Sequence, residues 1–252
     1  MRGQAQLLLA AGLSVFAASA TDAAQTCAAA PYADAADTLS GLVQRLTQTL
    51  SAHPSLSRAF VDQAPVLCLD DALVEEQAYF EPKTNRIVLN ATLGQDFQLA
   101  ILIHEVRHLD QFGRGACPSI SYRLTEYIRA RLALEADASA VGIYVAWSLR
   151  ESGEPGPWNM LATWPTHEDL VARFAREMAA GGNEVAATSA TFAQWFERAD
   201  RREIYTFAIC SNYLDALDRE KVNSGGDNLP DDYAAKLCLL PDGRPYACSL
   251  PP

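Results

Sequence analysis

The 252-residue sequence has little basic charge and no compositional bias of the fibrous or disordered kind. Its 20 lysines and arginines are outnumbered by 31 aspartates and glutamates, which leaves a formal net charge of −11. That sign disfavours phosphate-bearing partners, both nucleic acids and anionic membrane surfaces. Glycine and proline number only 14 and 13, while 49% of the residues are hydrophobic. Collagen-like, low-complexity and disordered chains are therefore excluded, and we expect one globular domain of roughly 200 residues.

After residue 20 the sequence has no apolar run that we expect to cross a membrane, since a spanning helix needs ~20 apolar residues. Residues 1–20 differ from the rest of the chain. Arg2 precedes about a dozen apolar and small residues, and Ala18-Ser19-Ala20 fits the small-x-small site of signal peptidase. We therefore predict a signal peptide over residues 1–20 and a periplasmic or secreted protein. A short N-terminal membrane anchor is the alternative.

The six cysteines all lie after residue 20, and none has the Cys-x-x-Cys spacing of a zinc ribbon. An even number of cysteines in an exported protein predicts three disulfides, although the connectivity is open. Cys238 and Cys248 flank a turn rich in proline and glycine, so we expect this pair first. The predicted organisation is one domain over residues 21–220 and a disulfide-stapled C-terminal tail over residues 221–252.

Hydrophobic periodicity predicts an α+β fold that is mainly helical, with a small sheet near its start. Residues 66–69 form a short apolar run typical of a strand. Residues 78–90 predict a hairpin, because two aromatic or β-branched runs flank turn residues. The expected helices lie within residues 27–60, over 95–112 with Gly113 at the end, over 121–150, from Thr166 as N-cap to 181, and over 190–219.

Residues 104–108 read His-Glu-Val-Arg-His, the HExxH pattern, inside the helix predicted over residues 95–112. A spacing of four residues places His104 and His108 on one helix face, where both imidazoles can bind one metal ion. Glu105 projects beside them and can accept a proton from a metal-bound water. Burying these three side chains in an apolar helix without a ligand would be costly. The pattern predicts a zinc site, and a pair of ordinary helix histidines is the alternative.

With this motif the sequence resembles the zincin metallopeptidases, and most of all poorly characterised bacterial metallopeptidase families. The resemblance covers roughly residues 75–145. It implies zinc-dependent hydrolysis of a peptide or protein substrate, with Glu105 as the general base. In zincins an edge strand ahead of the motif helix pairs with extended substrate, and residues 86–90 occupy that place in chain order. Arg107 departs from the pattern, because most zincins carry an uncharged residue there.

Catalytic zinc normally has three protein ligands, so a third is needed besides the two histidines. The resemblance to gluzincins indicates Glu135, which lies on the next predicted helix among small residues. Asp137 and Glu126 are the alternatives. Asp137 lies about 200° around the helix from Glu135, so a regular helix cannot direct both carboxylates to one ion. If Asp137 is not a ligand, we expect it to hydrogen-bond a ligand or to form an ion pair with a nearby arginine.

The remaining polar residues give weaker signals. His53, beside Pro54, is expected in an exposed loop. His167 follows Thr166 and loosely resembles a Thr-His segment of some membrane-integral gluzincins. Gln111, three residues after His108, is expected to hydrogen-bond near the site. A zincin tyrosine often stabilises the oxyanion, but the candidates on or near the second helix, Tyr122, Tyr127 and Tyr144, are expected to be ordinary core or surface residues.

Two functions from other classes stay open at this point. One is an envelope protein that binds zinc or peptides on a zincin scaffold without catalysis. The other is a disulfide-stapled structural protein without a metal. Zinc content separates the structural protein from the other two, and peptide hydrolysis separates the enzyme from the binding protein. The sequence leaves substrate preference and oligomeric state undetermined.

Overall fold

The computed structural model describes residues 25–73 and 77–251, so the predicted signal peptide lies outside the described residues. The described chain is mainly helical with one small sheet, and the predicted α+β class is confirmed. In chain order the elements are β1 (Thr26–Ala28), α1 (Asp37–Leu50), α2 (Pro54–Gln63), β2 (Val66–Asp70), β3 (Ala78–Glu81), β4 (Arg86–Asn90), α3 (Gln95–Gly113), α4 (Leu124–Glu151), α5 (Gly156–Thr163), α6 (Glu168–Ala179), α7 (Glu184–Trp195), α8 (Ala199–Glu220) and α9 (Tyr233–Leu237).

The four strands form one sheet in the order β1-β2-β4-β3. β3 and β4 form the predicted hairpin, with Tyr79 opposite Val88, and β2 pairs with β4 in parallel, with Cys68 opposite Val88. The expectation that residues 86–90 form the edge strand is therefore wrong, because β3 occupies that edge. The three central residues of β4 are fully buried, as is typical of an inner strand covered on both faces.

The motif helix α3 lies at the centre of the domain. It packs against α1, α2, α4 and α5 as well as β3 and β4. Leu99, Ile103 and Val106 are fully buried. The helix ends at Gly113, and the left-handed conformation that favours glycine follows at Gly115, with φ +69°. Because α3 is enclosed on most sides, the side chains of His104, Glu105 and His108 are largely buried.

The long helix α4 packs against α3, α5, α7 and α8. Ala133, Ala136 and Ala140 on this helix are fully buried. By length and hydropathy alone α4 is apolar enough to cross a membrane, contrary to the expectation from the sequence. Of its most apolar 18-residue stretch, 78% is buried inside the protein, as in the core helix of a soluble protein.

The chain after α4 contains more helices than the periodicity predicts. The helix over residues 156–163 was not predicted, and α6 begins after His167 instead of Thr166. The single helix expected over residues 190–219 is two helices. Arg201 donates to the carbonyl of Trp195, and Arg202 donates to that of Phe196. These side chains satisfy the terminal carbonyls of α7, which stabilises the break before α8.

His53 is buried, and its predicted exposure is wrong. Only 3% of the residue is exposed, and its ring lies edge-on to Tyr144 at 5.6 Å. Pro54 begins helix α2, since proline is well suited to a first helical position, and His53 therefore becomes the N-cap. Burial lowers the pKa of His53 to about 4, so the ring is neutral at pH 7.

Two disulfides are present among the described residues, Cys27–Cys68 and Cys238–Cys248. The predicted pairing of Cys238 with Cys248 is confirmed, and the predicted third disulfide is wrong. Cys117 lies exposed in the loop between α3 and α4, whereas Cys210 lies on α8, and both are free. An even number of cysteines means only that every cysteine could have a partner. A disulfide also needs the two Cα atoms to lie within about 7 Å of each other.

We expect thiol titration of the denatured, unreduced protein to find two free cysteines. Reduction should expose all six and lower the melting temperature, since each closed loop contributes about 2–4 kcal/mol through the unfolded state. A Cys117→Ser, Cys210→Ser variant should titrate to zero before reduction and keep the wild-type melting temperature. Any thiol left in that variant would contradict the assigned pairing.

Candidate metal centre

Three side chains on α3 and α4 converge on one point. The Nε2 atoms of His104 and His108 lie 3.1 Å apart, and each lies 3.6 Å from Oε2 of Glu135. Tetrahedral zinc, with bonds of about 2.0–2.1 Å, holds its ligand atoms about 3.3 Å apart. The two imidazoles and the carboxylate therefore fit the three protein ligands of a zinc site.

The electrostatics of the three side chains also favour a cation. Burial by itself would lower the pKa of His108, but the Glu135 carboxylate raises it to about 9. Burial likewise opposes ionisation of Glu135, but His108 and His104 hold its pKa well below the usual range. Glu135 is thus a buried carboxylate whose negative charge is stabilised by the two rings, and a positive ion at their centre would be stabilised in turn.

Gln111 determines which nitrogen of His108 faces the other ligands. The Gln111 amide donates to the carbonyl of Leu134 at 2.9 Å and to Oδ2 of Asp137 at 2.6 Å. Its Oε1 is therefore an acceptor, and it lies 2.8 Å from Nδ1 of His108. Nδ1 must then carry a proton, so Nε2 is the nitrogen that would lose its proton to a metal ion and direct its lone pair at the ligand cluster.

The two alternative third ligands lie in other environments. Asp137 is fully buried and accepts hydrogen bonds from Arg107 at 2.8 and 2.9 Å and from the Tyr246 hydroxyl at 2.6 Å. Asp137 therefore forms an ion pair with an arginine, which was the alternative role expected from the sequence. Glu126 pairs with Arg129 at 2.9 Å and lies outside the ligand cluster.

Arg107, unusual at its place in the motif, is a buried structural cation. It is 1% exposed, pairs with Asp110 at 2.6 Å as well as with Asp137, and donates to the carbonyls of Leu237 and Leu239. The C-terminal segment is thereby fixed against the motif helix. The charge cluster lies beside the ligand face of α3, since Arg107 is about 60–100° around the helix from the two histidines.

Glu105 lies beside the ligands and is 5% exposed. Burial raises its pKa, against the lowering effects of His108, His104 and the backbone N–H of Phe80 on β3. A carboxylate with a raised pKa accepts and releases a proton more readily near neutral pH. The position and the pKa both suit a general base.

A cavity of about 430 Å3 opens over the three ligands and Glu105. Edge strand β3 forms one wall with Ala78, Tyr79 and Phe80, and α4 and α8 form others. His167 also lines the cavity, and burial together with His104 lowers its pKa to about 3, so its ring is neutral. Its Nδ1 lies 2.8 Å from the Thr166 hydroxyl.

Two lining residues, Tyr205 and Arg131, had no signal in the sequence. Tyr205 belongs to an aromatic pattern that indicated a core-facing helix, and only the packing of α8 brings it to the cavity. Burial raises its pKa, and the charges of Glu135 and Glu105 add to that effect, so the hydroxyl keeps its proton. The three tyrosines considered from the sequence are not among the lining residues.

Comparison with known proteins shows the family to which the chain belongs. Neither the curated proteins nor the solved structures contain a match to the chain. A family profile matches residues 18–248, which is nearly the whole chain and includes the three converging side chains, Glu105 and the cavity walls. The chain therefore belongs to the family described as "Putative metallopeptidase family (DUF6782)".

Proposed function

We propose that this protein is an exported zinc-dependent peptidase that hydrolyses peptide bonds in a peptide or protein substrate. The observation that carries the proposal is the convergence of His104, His108 and Glu135 at distances that suit tetrahedral zinc, with Glu105 in the same cavity. The two disulfides indicate an oxidising compartment, which supports a periplasmic or secreted location.

Bound zinc would polarise the scissile carbonyl and lower the pKa of a water molecule. The residues of the chain then have separate tasks. Glu105 accepts the proton of the attacking water and delivers it to the leaving amine. The Tyr205 hydroxyl and the neutral His167 ring border the same cavity and are suited to donate hydrogen bonds to the developing oxyanion.

Strand β3 is suited to hold the substrate. It is the edge strand of the sheet, and its residues line the cavity. An extended peptide can add to such an edge through main-chain hydrogen bonds. Phe80 on this strand and Glu105 line the same cavity, so the strand that would bind the substrate also borders the proposed general base.

The first experiment measures metal content and metal-dependent hydrolysis together. We expect the purified protein to carry close to one zinc per molecule and to cleave members of a broad peptide library. Chelation should abolish cleavage, and added zinc should restore it. Absence of zinc from protein purified without chelator would exclude the enzyme, and zinc without any cleavage would favour the non-catalytic binding protein.

Replacing Glu135 by alanine should weaken zinc binding far more than replacing Asp137 by asparagine. The first variant removes a ligand, whereas the second keeps all three ligands and reaches them only through the hydrogen bond that orients Gln111, for which we expect a loss of roughly 10–100-fold in affinity. Chelator competition on the folded protein gives both dissociation constants. Equal losses in the two variants would show that Glu135 is not the third ligand.

A further inference from the structure

Arg131 stands out among the residues around the candidate metal centre. It lies one helical turn before Glu135 on α4, lines the same cavity and is half-buried. Within residues 25–73 and 77–251 it makes no ion pair and no hydrogen bond with another side chain or carbonyl. Four other arginines on or beside the helices around the cavity have acidic partners: Arg107 with Asp137, Arg114 with Asp110, Arg129 with Glu126 and Arg201 with Asp169.

The charge balance of the cavity makes this arginine important. The lining carboxylates are Glu105 and Glu135, and both border the ligand cluster. A divalent ion held there would be offset by these two charges. Arg131 is then the remaining charged side chain among the described lining residues, and no protein carboxylate is left in the cavity to pair with it.

A partly desolvated guanidinium without a counterion is suited to a carboxylate from outside the protein. Its planar fork binds both oxygens of a carboxylate, and such charge-assisted hydrogen bonds are stronger than neutral ones. The net charge of −11 repels anionic peptides at long range. A preference for an acidic ligand would therefore have to come from a local cation inside the cavity.

We propose that Arg131 is a specificity-determining residue that binds a carboxylate of the substrate, from an acidic side chain or from the C-terminus of the peptide. The inference rests on the proposed peptidase function and names its substrate class. One half of the cavity would then bind the scissile bond at Glu105 and the metal ligands, and Arg131 would select a nearby negative charge.

The test uses equilibrium binding to the metal-loaded Glu105→Gln protein, so that peptides are held without being cleaved. The probes are acetylated alanine hexapeptide amides with one glutamate at each position in turn, their glutamine counterparts, and the all-alanine peptide as free acid and as amide. We expect one acidic probe to bind roughly 10–100-fold more tightly than its neutral partner. The position of the best probe separates a side-chain carboxylate from a terminal one.

Variants made in the same background assign the preference to Arg131. Arg131→Gln should remove the preference, Arg131→Lys should retain part of it, and Arg131→Glu should shift it toward a lysine probe. Arg173→Gln is the matched control, because Arg173 lies on α6 in a half-exposed ion pair with Glu177. Melting temperatures and zinc content should agree among all variants.

Equal binding of every acidic and neutral pair, no binding of any probe, or a preference that survives Arg131→Gln would overturn the inference. Parallel hydrolysis by the wild-type protein separates this result from the proposed function. Acidic preference in binding without any cleavage would leave the Arg131 site standing and refute the peptidase. Cleavage without acidic preference would refute the Arg131 site alone.

Discussion

Replacement of Glu105 by glutamine is expected to lower peptide hydrolysis at least about a hundredfold, because general-base assistance is typically worth 10²–10⁴-fold. The amide has nearly the same volume as the carboxylate and stays on the same enclosed helix. Glu105 is not one of the three converging ligands, so zinc content should not change. The amide cannot accept a proton from the attacking water, and catalysis should be lost while the fold and the metal remain.

The matched control for this experiment is Glu126→Gln. Glu126 lies on α4 and pairs with Arg129 away from the ligand cluster, so activity and zinc content should both be retained. Full activity in the Glu105→Gln variant would show that another group is the base. If neither the wild type nor the variant cleaves any peptide while both hold zinc, the protein is a binding protein on this scaffold.

Replacement of Asp137 by asparagine is expected to lower the free energy of unfolding by about 3–5 kcal/mol. Asp137 is fully buried and Arg107 is 1% exposed, and two hydrogen bonds of 2.8 and 2.9 Å join them. Asparagine removes the negative charge of Asp137. The remaining carboxylate, Asp110, then has to neutralise both Arg107 and Arg114. An uncompensated buried cation is costly, whereas the intact pair approximately repays its desolvation.

An exposed ion pair of equal length provides the control. Asp232 lies 2.8 Å from Lys236, but both side chains are more than half exposed, at 57% and 70%. Asp232→Asn should change the free energy of unfolding by less than about 1 kcal/mol, because water screens that pair. Urea unfolding monitored by circular dichroism gives both values. Similar small losses in the two variants would refute the structural role of the buried cluster.

The buried cluster also connects the C-terminal segment to His108 of the candidate metal centre. The hydroxyl of Tyr246, two residues before Cys248, donates a hydrogen bond to Asp137. The Gln111 amide also donates to Asp137, and the Gln111 carbonyl accepts a hydrogen bond from His108. Every link lies between 2.6 and 2.8 Å. The orientation of a ligand on α3 thus depends on residues more than 100 positions away in the chain.

The features that the sequence determined by itself are local. Four-residue spacing within one continuous helix fixes His104, Glu105 and His108 relative to each other, whatever surrounds that helix. Turn residues between two β-rich runs specified the β3–β4 hairpin, and a ten-residue separation across a proline-glycine turn specified the Cys238–Cys248 pairing. Periodicity and short chain separation restrict such features before any tertiary contact forms.

The other features were decided by tertiary structure alone. Whether β3 or β4 lies at the edge depends on pairing with β2, and the presence of Tyr205 and Arg131 in the cavity depends on how α8 and α4 pack around α3. Cys117 and Cys210 are likewise free in the fold, which places one in the α3–α4 loop and the other on α8. Strand pairing, cavity lining and the positions of the cysteines all depend on residues far apart in sequence. Side-chain packing brings such residues together, and it leaves no local periodic signal in the sequence.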